Sequence, residues 1–126
     1  MILPNISYFI KNFVTKREKS FFSNDLSNNK AKLIKEIKGK SILVIGGAGT
    51  IGSSYIKAAL KYYPAEIIVV DTNENGLTEL TRTLRSDSNI SVPESYLTYP
   101  MSFSSDIFYK MLESHGAFDV VANFAA

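Results

Sequence analysis

Ser41-Ile42-Leu43-Val44-Ile45-Gly46-Gly47-Ala48-Gly49-Thr50-Ile51-Gly52 decides how the rest of the chain is read. Its first five residues form a short, β-branched apolar run, the pattern of a strand buried on both faces. Four glycines follow at once, and a spaced triplet can be taken from them as 46, 49 and 52 or as 47, 49 and 52. A helix then begins, because apolar residues recur with its period at Ile51, Tyr55, Ile56, Ala59, Leu60 and Tyr63. Pro64 is expected to end that helix, since proline cannot continue the hydrogen-bond ladder and restricts its predecessor. Strand, glycine turn and helix in direct succession leave backbone N–H groups free at a helix start, where the dipole favours negative charge.

Beyond Pro64 the alternation continues. Glu66 to Val70 reads as a second buried strand, and Leu77, Leu80, Thr81 and Leu84 mark a second helix. Tyr96 to Tyr99 is a third strand, Ile107 to Ser114 a third helix, and Phe118 to Asn123 a fourth strand. Strands this short, alternating with helices, predict parallel pairing through right-handed crossovers. The expected fold class is α/β, a Rossmann-type three-layer arrangement with strand order 3-2-1-4, of which the chain carries the first part.

On the N-terminal side, Ile2, Leu3, Ile6, Phe9, Ile10, Phe13 and Val14 recur at helical spacing and form one apolar stripe. Lys11, Lys16, Arg17 and Lys19 follow on the other faces. A polar stretch from Ser23 to Lys30 separates this segment from a short helix, Ala31 to Ile37, stopped by Gly39. The expected division is a basic helical arm over residues 1–39 and a nucleotide-binding body over 40–126. The stripe needs a partner, which is the body, another subunit or a membrane surface where the lysines favour anionic lipids, so a homo-oligomer through the arm is one expectation. Nucleic acid is not expected, because the aromatic residues lie on the apolar stripe and form no exposed stacking platform.

Composition narrows the function classes. The 126 residues have room for one domain, with 45% hydrophobic and 21% charged residues, ordinary for a soluble globular protein. With no cysteine and a single histidine, neither a disulfide framework nor a thiolate or histidine metal site is expected. His115, before Gly116, is expected at the surface near a helix terminus. No apolar run approaches the ~18 residues that span a bilayer, and the opening residues do not resemble a signal peptide. A cytoplasmic location is expected. Residues 1–40 hold nine Lys or Arg against three Asp or Glu, and residues 41–126 hold five against nine. A basic arm thus precedes a mildly acidic body.

In this context Gly46, Gly49 and Gly52, with the backbone at Thr50 and Ile51, are expected to cradle the diphosphate of a dinucleotide. Asp71 stands at the end of the second strand, 19 residues beyond Gly52. Its carboxylate can accept hydrogen bonds from both adenosine ribose hydroxyls. It also repels a 2′-phosphate, since like charges near 4 Å cost about 4 kcal/mol before relaxation. NAD is therefore expected, with NADP as the alternative should Arg82 soften the repulsion. Two other readings are open: a tight turn with Asp71 capping the next helix, or another adenosyl ligand such as S-adenosylmethionine.

From Lys40 to Ala126 the sequence resembles the start of an extended short-chain dehydrogenase/reductase, with a weaker likeness over Asp25 to Gly39. Gly46 to Gly52 matches the loop of that family. Val69-Val70-Asp71-Thr72-Asn73-Glu74-Asn75-Gly76-Leu77-Thr78-Glu79-Leu80, with Arg82 and Leu84-Arg85-Ser86, resembles a narrower group, the polysaccharide-biosynthesis enzymes typified by UDP-N-acetylglucosamine 4,6-dehydratases. Val120 to Ala126 resembles their fourth strand. The resemblance implies that Ser102 and Ala125 lie along the cofactor. It implies that the full enzyme oxidises a nucleotide-linked sugar at C4 with bound NAD(P), eliminates water across C5 and C6, and returns the hydride at C6. An epimerase would share the 4-keto chemistry.

The sequence departs from the family at Ile45, where a Thr is usual, at Ser102, where an Asp often contacts adenine, and at Asn123, where a His is frequent. The family's Tyr-x-x-x-Lys pair supplies a tyrosinate base and a lysine that lowers its pKa. None of the seven tyrosines here is followed four places later by a lysine. The chain as given is therefore expected to bind dinucleotide without catalysing, and no catalytic residue is assigned. A non-catalytic dinucleotide sensor whose arm engages a partner protein is the rival from another class. A reductase acting on a different small substrate is the third reading.

Overall fold

The computed structural model describes residues 5–126, and contacts divide the chain into two units, residues 1–32 and 33–126. Ile2 and Leu3 of the expected apolar stripe lie outside the described residues. In the first unit, α1 (Ile6–Phe9) is capped by Asn5, whose side chain accepts from the Tyr8 N–H at 3.0 Å. The backbone then widens into a π-helical turn over Ile10–Val14, closed by the Thr15 N–H on the Ile10 carbonyl at 2.8 Å. Ile6, Phe9, Ile10, Phe13 and Val14 are exposed, and the Phe9 and Phe13 rings stack 5.4 Å apart. The polar stretch after residue 22 is not extended chain. It forms α2 (Ser23–Asn28), whose end is tied by Asn29 to both the carbonyl and the carboxylate of Asp25. Serine and asparagine favour helix ends over interiors, which hides a helix this short from its composition. Next comes α3 (Lys30–Ile37), stopped by Gly39 at φ +72°.

In the second unit four strands carry the fold: β1 (Ser41–Ile45), β2 (Glu66–Asp71), β3 (Ser95–Pro100) and β4 (Val120–Asn123). All pair in parallel in the order β3-β2-β1-β4, the expected topology. The connecting helices are α4 (Thr50–Leu60), α5 (Glu74–Ser86) and α6 (Asp106–His115). Strand pleating sorts side chains to alternate faces. Ile42 and Val44 of β1, with Ile67 and Val69 of β2, join Ile56, Leu60, Leu77, Leu80 and Leu84 of α4 and α5 in one core. Leu43, Ile45, Ile68 and Val70 point the other way, onto Phe108 of α6. These are the three layers: two helices, a sheet, one helix. Buried on both faces, β1 and β2 are apolar without a break, as a parallel sheet requires.

Two boundaries differ from expectation by more than one residue. Helix α4 stops at Leu60, not at Tyr63. Tyr62 and Tyr63 donate back three residues, to Ala59 and Leu60, a tightening of the last turn. Tyr63 itself takes φ +59°, since Pro64 disfavours the α-helical conformation in its predecessor. Strand β4 begins at Val120, not Phe118. Phe118 is instead stacked on His115, with ring centroids 3.8 Å apart.

Candidate functional site

The C-terminal ends of β1, β2 and β4 meet in a cleft of about 400 Å³. It is lined by Gly46, Gly49, Asp71, Ser102 and Ala125 among the expected site residues, and by Thr72, Met101, Phe103 and Phe124 among others. At such a carboxyl edge, where the strand order turns back, open α/β sheets leave a crevice for ligands. Gly46 continues the ladder from β1, donating to the Val70 carbonyl at 2.8 Å, and then turns away with φ +76°. A side chain there would be strained, and its Cβ would lie 2.6 Å from the Ala125 nitrogen. Gly46 is therefore needed first for the backbone of the turn after β4.

Gly49 differs. It has an ordinary extended conformation at the N-cap of α4, and a Cβ there would meet only the Gly46 carbonyl oxygen, at 3.6 Å. Glycine at this position leaves α4 without a side-chain cap. The starts of α5 and α6 are capped by Asn73, which accepts from Gly76 at 2.9 Å, and by Ser105, which accepts from Phe108 at 3.3 Å. The first intrahelical donor of α4 is the Ser53 N–H, bonded to the Gly49 carbonyl at 2.9 Å. The N–H groups of Thr50, Ile51 and Gly52 precede it and have no partner within the helix. Their side chains do not line the cleft. Ile51 is 68% exposed, and Gly52 is buried against the Gly46–Gly47 turn, where a Cβ would collide with the Gly46 carbonyl oxygen.

Asp71 is the one ionisable side chain among the cleft-lining residues. Its Oδ2 accepts from the Ala48 N–H and its Oδ1 from the Asn73 N–H, both at 2.9 Å. Each carboxylate oxygen retains a second lone pair. The cap of α5 is Asn73, so the alternative in which Asp71 caps that helix does not hold. Arg82 pairs with Glu79 at 2.6 Å on α5 and is not among the residues lining the cleft. Ser102 shares a hydrogen bond with the Ser104 hydroxyl at 2.9 Å, and its carbonyl accepts from the Ser105 hydroxyl at 2.6 Å. Phe103 beside it is 40% exposed and lines the cleft. Asn123 accepts from the Ala125 N–H at 2.9 Å and so shapes the turn that Gly46 leans on.

Phe103, Thr72 and Met101 are cleft residues that reading the sequence missed. The signal for Phe103 was available: it is an apolar residue next to Ser102 in the loop after β3. Tyr55 packs its ring 5.1 Å from Phe124, and burial raises its phenol above the ordinary value. It stays protonated near neutral pH and is not a ready base. Among the described residues no three potential ligands cluster to hold a metal.

His115 stands at the end of α6, near a helix terminus as expected, but not at the surface. It is half-buried, with Nε2 2.5 Å from Glu66 Oε2, while Ser95 Oγ donates to Glu66 Oε1 at 2.8 Å. The hydroxyl and the imidazole contact opposite oxygens of one carboxylate, so no nucleophile touches a base. The trio ties the N-terminal ends of β2 and β3 to the end of α6, away from the glycine turn. A groove of about 420 Å³ runs from it along the α6 side of β2 and β3, with mostly apolar walls such as Ile68, Leu97 and Met111.

The sequence pattern of a family described as "Polysaccharide biosynthesis protein" matches residues 42–116, from β1 through α6. The chain belongs to this family. The resemblance to the polysaccharide-biosynthesis branch of the short-chain dehydrogenase/reductases is thereby borne out. Among solved structures, the fold of this polysaccharide-biosynthesis chain is similar to that of the enzyme WbmF of Bordetella bronchiseptica, determined in complex with NAD+. Identity there is 22% and the TM-score 0.50, covering 71% of this chain and 24% of that one. It is also similar to the epimerase Mth375 of Methanothermobacter thermautotrophicus, at 21% identity and a TM-score of 0.55, covering 85% and 27%. A curated relative, the uncharacterized membrane protein MJ1061 of Methanocaldococcus jannaschii, is 48% identical over 50 residues, 40% of this chain and 15% of that protein. The chain spans about a quarter or less of the length of these relatives. No helix among the described residues is long and apolar enough to cross a membrane.

Proposed function

We propose that residues 40–126 bind NAD as the cofactor half of a nucleotide-sugar dehydratase or epimerase of polysaccharide biosynthesis. The observation that carries this reading is the uncapped start of α4. Three amides without helical partners sit at a glycine that leaves space, and α5 and α6 are capped by their own side chains. A diphosphate supplies the acceptors that such amides lack. The residues fit the rest of the cofactor. Asp71 has lone pairs to spare for ribose hydroxyls, Phe103 offers a face to a base, and Ala125 is small enough to let a flat ring approach.

Bound nicotinamide would accept and return hydride. The residues of this chain would orient it: the turn through the phosphates, Asp71 through the ribose, the β4 end through its small side chains. Proton transfer is not assigned to them, because no tyrosine here is followed four places on by lysine. Two similar structures support the reading. WbmF has been determined with NAD+ and UDP together, and Mth375 is described as an epimerase. The exposed apolar stripe of α1 and the basic charge around it suit contact with the acidic body of a second copy.

The test is calorimetric titration of the chain with NAD and with NADP. Measurable binding with NAD preferred is expected. Asp71→Ala should weaken NAD by about tenfold, the worth of hydrogen bonds to a charged group, and NADP by less. No heat with either dinucleotide overturns the reading, and equal losses remove the ribose assignment.

A further inference from the structure

The carboxylate of Asp71 belongs to a closed ring of contacts that uses three residues outside the cleft. Ala48, in the glycine turn, donates its N–H to Asp71 Oδ2 at 2.9 Å. Asp71 Oδ1 accepts from the Asn73 N–H at 2.9 Å, and Asn73 Oδ1 accepts from the Gly76 N–H at 2.9 Å. Gly76 closes the ring by close approach: a Cβ built on it would lie 2.9 Å from both Ala48 Cβ and Asn73 Nδ2, inside normal separation. The third residue of α5 thus rests against the same Ala48 whose N–H holds the acid.

Helix propensity would favour alanine over glycine at a helical position by ~1 kcal/mol. Glycine here has no left-handed backbone to serve, since Gly76 is not among the positive-φ residues. What it provides is closeness. A methyl group at 76 would turn aside the flexible Asn73 amide and would have to push α5 away from the turn or push Ala48 aside, and either of the last two motions lengthens the Ala48–Asp71 hydrogen bond.

Resting on the NAD reading of this cleft, we propose that Gly76 is a positioning residue that sets dinucleotide specificity by holding Asp71 against the glycine turn. With the ring closed, both carboxylate oxygens are fixed, and the acid cannot swing away from an incoming 2′-phosphate. With the ring open, Asp71 is free to rotate. NAD then loses a preorganised acceptor, while NADP meets less repulsion. Gly76 touches no ligand; it acts through Ala48 and Asp71.

The experiment measures NAD and NADP affinities of the full chain by calorimetry for the wild type, Gly76→Ala, Ala48→Gly and the double variant. Gly76→Ala is expected to weaken NAD by about tenfold, on the scale of one charge-assisted hydrogen bond, and to shrink the ratio of NADP to NAD dissociation constants. Ala48→Gly in the same chain removes the opposing methyl group, leaves only the Asn73 amide, a flexible side chain that can turn aside, and is expected to restore both the affinity and the ratio. A purely structural effect lowers the folded fraction and weakens both ligands alike, leaving the ratio unmoved. Should Gly76→Ala fail to fold, refolding of the double variant with wild-type ratio supports the proposal, and a double variant that also fails overturns it. An unchanged ratio in folded Gly76→Ala overturns the positioning role while the NAD reading stands. A wild type that binds neither dinucleotide overturns both.

Discussion

Gly49 and Gly52 stand three residues apart in one turn, and their replacement should fail in different ways. At Gly49 a side chain meets only ordinary contact and projects where the amides of α4 are open. Gly49→Val should keep the fold, at a cost near that of a lost cap, about 1 kcal/mol, and abolish NAD binding. Circular dichroism and calorimetry on one sample check this, and undiminished binding would remove the diphosphate assignment. At Gly52 even a methyl group collides with the Gly46 carbonyl oxygen. Gly52→Ala should lose about 1–3 kcal/mol of stability, the usual range for overpacking, seen as an earlier denaturant midpoint. Glycine spacing and the terminal acid made the turn between β1 and α4 and the place of Asp71 at the end of β2 legible in the sequence. Gly76 was not, because its role depends on which loops the sheet brings together. No spacing rule reports that α5 rests on Ala48. His115 shows the same gap, since its partner Glu66 lies 49 residues away.

Elements were legible where burial imposes a period. The unbroken apolar runs of β1 and β2 and the leucines of α5 follow directly from double-sided and single-sided burial. Leu84 tests that packing: it is fully buried in the core between α5 and the sheet. Leu84→Ala should cost about 2–5 kcal/mol, measurable as a loss in unfolding free energy. A loss under about 1 kcal/mol would mean that the site collapses or that α5 is not seated as described. Ends were less legible than middles. Proline 64 correctly signalled a stop, yet the helix yields earlier because Tyr63 must leave the helical conformation to precede it. In the N-terminal unit the apolar period hid a widened π-helical turn, and α2 has too little apolar patterning to announce itself.

For the molecule as a whole, strand order followed from alternation and crossover handedness, and it is held at the far end by a contact that no pattern shows. Asp119, just before β4, accepts from the Ser41 N–H at 2.9 Å and from its hydroxyl at 3.2 Å, at the very start of β1. The backbone hydrogen bond, with further help from the Ser41 hydroxyl and Lys40, holds its carboxyl below the ordinary value of 3.8. A depressed folded-state pKa adds stability above the unfolded value and loses it as pH falls through the folded one. The melting temperature of Asp119→Ala should therefore lie below wild type at pH 7, with the gap closing as pH falls below 3.8. A gap independent of pH would mean the carboxylate charge contributes nothing. At the opposite end, Gly46 leans on the backbone of Phe124 and Ala125, made long after it. A nascent chain that has already delivered β1 and α4 still lacks that wall. The turn after β1 therefore takes its final shape only once the residues that follow β4 have docked against it.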